Sequence, residues 1–171
     1  MNADARAGRS STTAPHPLAL LLDCPQQVSA LLQGSAAPID FAAGQVVFRQ
    51  QETCRGLYLI LSGQLLRRAE RLDAKVTLGT ARTGDLVELA AALGDGIHTY
   101  TLSGQLAGSA LLLPIEPLQQ AFQLHPPLRM HLLEELAREV SRAYAVGSLA
   151  RLRSPRRRGP EPHGHAGMGS I

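Results

Sequence analysis

The side chains able to do chemistry in this chain are few and scattered. Cys24 and Cys54 stand 30 residues apart and form no CxxC pair. An iron–sulfur cluster takes four cysteine ligands, so none is expected. A disulfide belongs to oxidising compartments, and the two cysteines are read as unpaired thiols. Cys24, His98, His125 and His131 are of the types that serve as axial haem ligands. No spacing ties any of them to a second ligand, and a lone histidine is ordinarily a surface or capping residue. No cofactor, haem included, and no metal site is therefore expected. His163 and His165 lie in a biased tail that offers weak adventitious metal binding at most. Glu134 and Glu135 precede Arg138 at helical spacing, which describes solvated ion pairs rather than an acid–base dyad. There is no P-loop, no GxSxG, no HExxH and no Ser/His/Asp set joined by spacing. The chain is not expected to be an enzyme. Arg151, Arg153, Arg156, Arg157 and Arg158 form a cluster able to contact phosphates without sequence preference, in a salt-dependent way. The plainer reading of that cluster is a solubilising tail.

Composition points the same way. The 171 residues suffice for one domain with a real core and hardly for two. Residues 1–150 hold 12 Lys plus Arg against 13 Asp plus Glu, a net charge of −1, so the chain's +3 comes from the tail. A basic folded face is thereby excluded. No apolar run approaches the roughly 20 residues that span a bilayer, and Pro17 to Leu22 is too short for a secretory signal. A cytoplasmic protein without membrane attachment is expected.

The elements that must position these residues are mostly short strands. Phe41 to Gly63, FAAGQVVFRQQETCRGLYLILSG, holds two apolar runs, Val46–Phe48 and Leu57–Leu61, each closed by glycine. Gln64 to Arg71 continues a hairpin, and Lys75 to Thr80 alternates as its return strand. Leu86 to Leu93 places Leu86, Leu89, Ala90 and Leu93 on one helical face and predicts a short helix. Thr99–Leu102 and Leu106–Leu113 complete the strands, with Gly104 and Gly108 as bulges. Upstream, Pro25 to Leu32 predicts a helix with Asp23 available as its cap. Pro114 to Phe122 predicts another helix, stopped at His125-Pro126-Pro127.

Residues 128–153 form the longest periodic stretch. Leu133, Leu136, Val140, Ala143, Gly147 and Ala150 follow 3-4 spacing, an a/d seam with charges on both flanks. Leu128 to Leu152 as a helix is about 37 Å long, more than one side of a small barrel needs. That length favours pairing about a two-fold axis over packing on its own body. Residues 1–17 and 154–171 lack periodicity and are expected to be disordered. Residues 18–127 make the domain.

Taken in order, F-x-A-G-Q-x-x-F at Phe41–Phe48, G-L-Y-x-I-L-S-G at Gly56–Gly63 and T-G-D-L-V at Thr83–Val87 resemble the sensor domain of CRP/FNR transcription regulators. The resemblance covers roughly Leu18 to Leu152. It implies the cyclic-nucleotide-binding fold, a mainly β double-stranded β-helix jelly roll with flanking helices, followed by a long C-terminal dimerisation helix. It also implies a ligand pocket. In cyclic-nucleotide binders of this fold a Gly-Glu pair follows the Gly-Asp turn, and an arginine followed by a hydroxyl residue meets the cyclic phosphate. A buried phosphate needs that fork of charged donors. Aligned on Gly84-Asp85, this chain places Glu88 at the glycine and Leu89 at the glutamate. Counting back from Leu113, the arginine falls at Tyr100 and the hydroxyl residue at Thr101. No Arg or Lys lies between Arg82 and Arg129. Ala143 and Tyr144 mark the adenine-facing positions on the long helix.

The expected protein is thus an effector-sensing domain with a degenerate phosphate cassette, closer to the FNR-like branch. Its expected partner is a second copy or a related full-length regulator. CRP/FNR regulators continue past this helix into a helix-turn-helix, and Ser154 to Ile171 holds no such unit. Sequence-specific DNA binding by this chain alone is not expected, and a frameshift or early stop in a longer regulator fits the abrupt change after Arg153. The alternative is a ligand-free dimerisation or interaction module on the same fold.

Overall fold

The computed structural model describes residues 17–71 and 74–153, with side chains given for 18–70 and 74–142. The expectations of disorder for 1–16 and 154–171 fall outside the described residues; Pro17 opens a helix. The order is α1 (Pro17–Leu21), α2 (Gln26–Ser35), β1 (Ala37–Phe41), β2 (Val46–Phe48), β3 (Gly56–Arg71), β4 (Ala74–Arg82), β5 (Leu86–Val87), α3 (Leu89–Leu93), β6 (Thr101–Pro114), α4 (Ile115–Leu124) and α5 (Pro126–Arg153).

The strands form one antiparallel sheet in the order β1-β6-β3-β4, with β2 added to β6 and β5 to β3. Alternation along the central strands divides the core in two. Leu57, Leu59 and Leu113 face a cluster shared with Leu18, Leu22, Val28, Leu32, Leu118, Leu128 and Leu132 of the helices. Their neighbours Tyr58, Ile60, Ala110 and Leu112 face the interior of the roll with Phe41, Phe48, Leu65, Tyr100 and Leu102. Successive strand side chains point to opposite faces, so one apolar run serves both cores.

Several boundaries differ from the sequence reading. Gly63, with φ of 81°, bends β3 rather than ending it, and the strand continues to Arg71 through register shifts. A Cβ at Gly63 would lie 2.6 Å from the Ala107 carbonyl oxygen, so only glycine lets the two strands approach there. The two expected last strands are one, β6, because β1 and β3 pair along it from both sides. The expected helix over Leu86–Leu93 starts only at Leu89. Leu86 and Val87 pair with Leu59 and Tyr58 as β5, and ladder bonding there overrides helical spacing. Asp23 does not cap α2; it sits in a left-handed turn at φ of 46°, and Pro25 occupies the cap position.

Helix α5 is docked by its first turns. Leu128 and Leu132 are fully buried, and Leu133 and Leu136 half-buried. Beyond them Val140, on the predicted seam, is 59% exposed. Ala143, Gly147 and Ala150 lie on the helical backbone outside the described side chains.

Candidate functional site

The chemistry collects inside the roll, on the strand and loop residues that face away from the helices. His98 and Tyr100 lead into β6 two residues apart, so both point inward with Leu102. The segment around Gly96–His98 is laced to the loop before β3. Cys54 N–H donates to the Gly96 carbonyl (2.7 Å), His98 N–H to the Glu52 carbonyl (2.9 Å), and Gln51 N–H to the His98 carbonyl (2.8 Å). This lacing brings Cys54, 44 positions away in sequence, beside His98. Phe48 of β2 stacks on the His98 imidazole at 3.8 Å between centroids and 6° between planes, and so sets the ring's orientation.

Glu88 enters from the turn after β5. It sits in left-handed backbone, φ 76° and ψ 26°, a conformation that costs a non-glycine residue about 1–2 kcal/mol. That is the conformation suited to the glycine which the resemblance places here, and it turns the carboxylate into the core. The side chain is 1% exposed and accepts or shares a proton with His98 Nδ1 through Oε2 at 2.7 Å. Its other oxygen, Oε1, is buried without a hydrogen-bond partner. The Tyr100 hydroxyl lies beside the carboxylate and favours its charged form. Burial raises the Glu88 pKa, against the opposing pull of His98 and then Tyr100. Burial, and then Glu88, likewise pushes the Tyr100 hydroxyl well above its ordinary range. The Cys54 thiol is pushed up by burial, and less by Glu88, while its contact to the Gly56 carbonyl (3.4 Å) acts oppositely.

A cation reaches this region from β3. Arg67 donates from Nη1 to Glu139 of α5 and from Nη2 to the Thr80 carbonyl at 3.4 Å. Burial lowers its proton affinity, but Glu139 and then Tyr100 outweigh that and hold the guanidinium above its usual range. Its Nε is buried without a partner. Around the interior, two carboxylates therefore stand against one guanidinium, and that guanidinium is already paired.

Of the residues selected from sequence, Glu88 and Tyr100 meet in this cluster. Thr101 is its neighbour, its Oγ1 accepting from Gln50 N–H at 3.0 Å. Gly84 and Asp85 build the exposed turn that precedes it: Gly84 N–H donates to the Ile60 carbonyl (2.8 Å), and Asp85 Oδ2 accepts from Arg82 N–H (2.8 Å). Leu89 packs in the helix-facing core. Ala143 and Tyr144 have side chains outside the described set. The sequence reading missed Arg67, Phe48 and Glu139 as site residues, took Cys54 as an unpaired thiol, and weighed His98 as an axial haem ligand before reading it as a lone surface or capping histidine. For His98 a signal existed: its period-two spacing from Tyr100 and Leu102. An open depression of about 320 Å³ on α4, lined by Glu116, Pro117, Gln119, Gln120 and Gln123, gathers no comparable chemistry.

A family model described as the cyclic nucleotide-binding domain matches residues 38–125. No curated protein sequence matches the chain. Among solved structures, the sensor domain of the transcriptional regulator DNR from Pseudomonas aeruginosa is 18% identical with a TM-score of 0.61, over 69% of this chain and 89% of that one. The catabolite activator protein of Thermus thermophilus is 22% identical at a TM-score of 0.64, over 75% and 60% respectively. A protein described as a transcriptional regulator of the CRP/FNR family, from Eubacterium rectale, is 19% identical at a TM-score of 0.70, over 82% and 65%. The match thus spans less than two thirds of the length of the last two. These likenesses establish the shared fold. No helix among the described residues is long and apolar enough to cross a membrane.

Proposed function

Because the chain belongs to the cyclic nucleotide-binding domain family, we propose that it is the effector-sensing module of a CRP/FNR-type regulator whose phosphate cassette no longer suits a cyclic nucleotide. The observation that carries this reading is the charge inside the roll. A cyclic phosphate needs unpaired cationic donors. Here the arginine position is Tyr100, the inward carboxylate of Glu88 is 1% exposed, and Arg67 is committed to Glu139. An incoming phosphate would meet a carboxylate in low dielectric, where like charges repel strongly. The interior is instead suited to a small or cationic signal.

Transmission follows from the Arg67–Glu139 pair, which joins β3 to α5. An effector that alters the charge around Tyr100 and Arg67 biases how α5 lies on the roll, and a two-state change of that kind needs only differential affinity. Among the described residues α5 is the last element, and Val140 on its outward seam is exposed. We assign the readout to a partner paired along α5, either a second copy or a related regulator. The aromatic filling around Phe48, Tyr58 and Tyr100 favours a second reading, a dimerisation module that takes no small molecule.

The test is thermal unfolding of the full chain with cAMP and with cGMP, alongside its solution mass. The expected result is a dimer whose Tm neither nucleotide moves. A ligand at 100 times its Kd adds about 2.7 kcal/mol, several degrees for a domain of this size. A shift of that order with cAMP overturns the reading.

A further inference from the structure

We propose that Cys54, Glu88 and His98 form a binding site for a divalent transition-metal ion of the zinc class, buried inside the roll. The three side chains offer one thiol sulfur, one carboxylate oxygen and one imidazole nitrogen, all within 4.8 Å of one another. A point central to three such atoms lies no more than about 2.8 Å from each, against zinc bond lengths of about 2.0–2.3 Å. Side-chain adjustments of about 0.5–0.8 Å close that gap.

Two further observations point to an ion. Glu88 is 3% exposed, yet its Oε1 has no hydrogen-bond partner. A buried carboxylate oxygen left unpaired is costly, and an ion at the centre of the cluster would satisfy it. Glu88 also holds a left-handed backbone to point inward, and strain of this kind collects at functional sites. The donor set balances the charge as well. A thiolate and a carboxylate cancel a divalent cation, and the imidazole stays neutral. Binding displaces the Cys54 thiol proton to solvent as the sulfur–metal bond forms, with no change of oxidation state. Sulfur and imidazole together favour zinc, cobalt or ferrous iron over magnesium or calcium. Phe48, stacked on His98, serves as the packing that holds the ligand ring.

As the identity of the effector, this inference rests on the sensor reading above; as a metal site it does not. The experiment uses the full chain, freed of metal with a chelator and titrated with Co²⁺ and with Zn²⁺ alone. One equivalent of Co²⁺ is expected, with the near-ultraviolet charge-transfer band of a cobalt–thiolate bond, reversed by Zn²⁺. Cys54→Ser should abolish the band. Cys54→Ser and His98→Gln should each weaken binding beyond the roughly 10–100-fold that loss of an outer-shell partner costs. The double variant His163→Ala, His165→Ala should leave band and affinity unchanged. Cys54→Ser is nearly isosteric, and a cooperative melt checks its fold. A folded wild-type chain that binds no Co²⁺, or binds it only through His163 and His165 without a thiolate band, overturns the proposal. The same titration read by solution mass and α5 pairing separates the claims. Metal bound with no change in assembly or in α5 pairing leaves the site standing and removes the metal as the effector.

Discussion

The Arg67–Glu139 contact is the polar tie described between the sheet and α5, and its removal is predicted to weaken the whole body. Exposed ion pairs contribute about 0–1 kcal/mol, and removing one partner of a fully buried pair costs about 3–5 kcal/mol. These side chains are 19% and 35% exposed, so solvent screens part of the attraction. Arg67 adds an aggravating feature. Its Nε is already buried without a partner, and without Glu139 the charge keeps the long bond to the Thr80 carbonyl and the neighbouring Tyr100 but no carboxylate partner. Glu139→Ala is therefore expected to cost about 1.5–2.5 kcal/mol. At about 3–4 °C per kcal/mol for a body of this size, Tm falls by about 5–10 °C. Denaturant unfolding of wild type, Glu139→Leu, Arg67→Met and the double variant Arg67→Met/Glu139→Leu closes the cycle, with Glu139→Ala measured beside it. The double variant should come within about 1 kcal/mol of wild type, because replacing a buried pair by apolar groups is often neutral. Glu134→Ala is the control: Glu134 is 62% exposed, and its loss should change stability by less than about 0.5 kcal/mol. If Glu139→Ala behaves like Glu134→Ala, or the cycle shows no coupling, the tie is a surface pair and the route from the roll to α5 is wrong.

Two further expectations concern packing and pairing. Gly104 is clamped by the turn between β1 and β2, and a Cβ there would lie 2.1 Å from the Ala42 carbonyl oxygen. Gly104→Ala should cost about 1–3 kcal/mol in denaturant unfolding, whereas Gly34→Ala, with nothing within 4 Å near the end of α2, should gain about 0.5 kcal/mol; equal effects would refute the close approach. Val140→Glu places a charge on the exposed face of α5 and should halve the solution mass of the dimer while leaving the melt of the roll within about 0.5 kcal/mol; a dimer that survives it does not pair on that seam.

What the amino-acid order by itself determined is the periodic and the punctuated. Glycines at 44, 56, 63 and 84, between apolar runs of strand length, mark an antiparallel roll, because turn conformations and alternation are local properties. The 3-4 spacing from Leu133 to Val140 marks a helix for the same reason. Even the departure at Glu88 was visible, since the motif order assigns that position to glycine. Tertiary structure decided the rest. Whether Gly63 ends or bends a strand depends on what approaches it, and Gly108 of β6 does. Which arginine serves the interior could not come from spacing near Tyr100, because Arg67 arrives from another strand and is neutralised by a carboxylate 72 positions on. Cys54, Glu88 and His98 share no motif. They meet because backbone hydrogen bonds lace the loop before β3 to the segment before β6, and a left-handed turn aims Glu88 between them. Local sequence sets the direction in which each side chain leaves the backbone; only the closed roll sets what it meets.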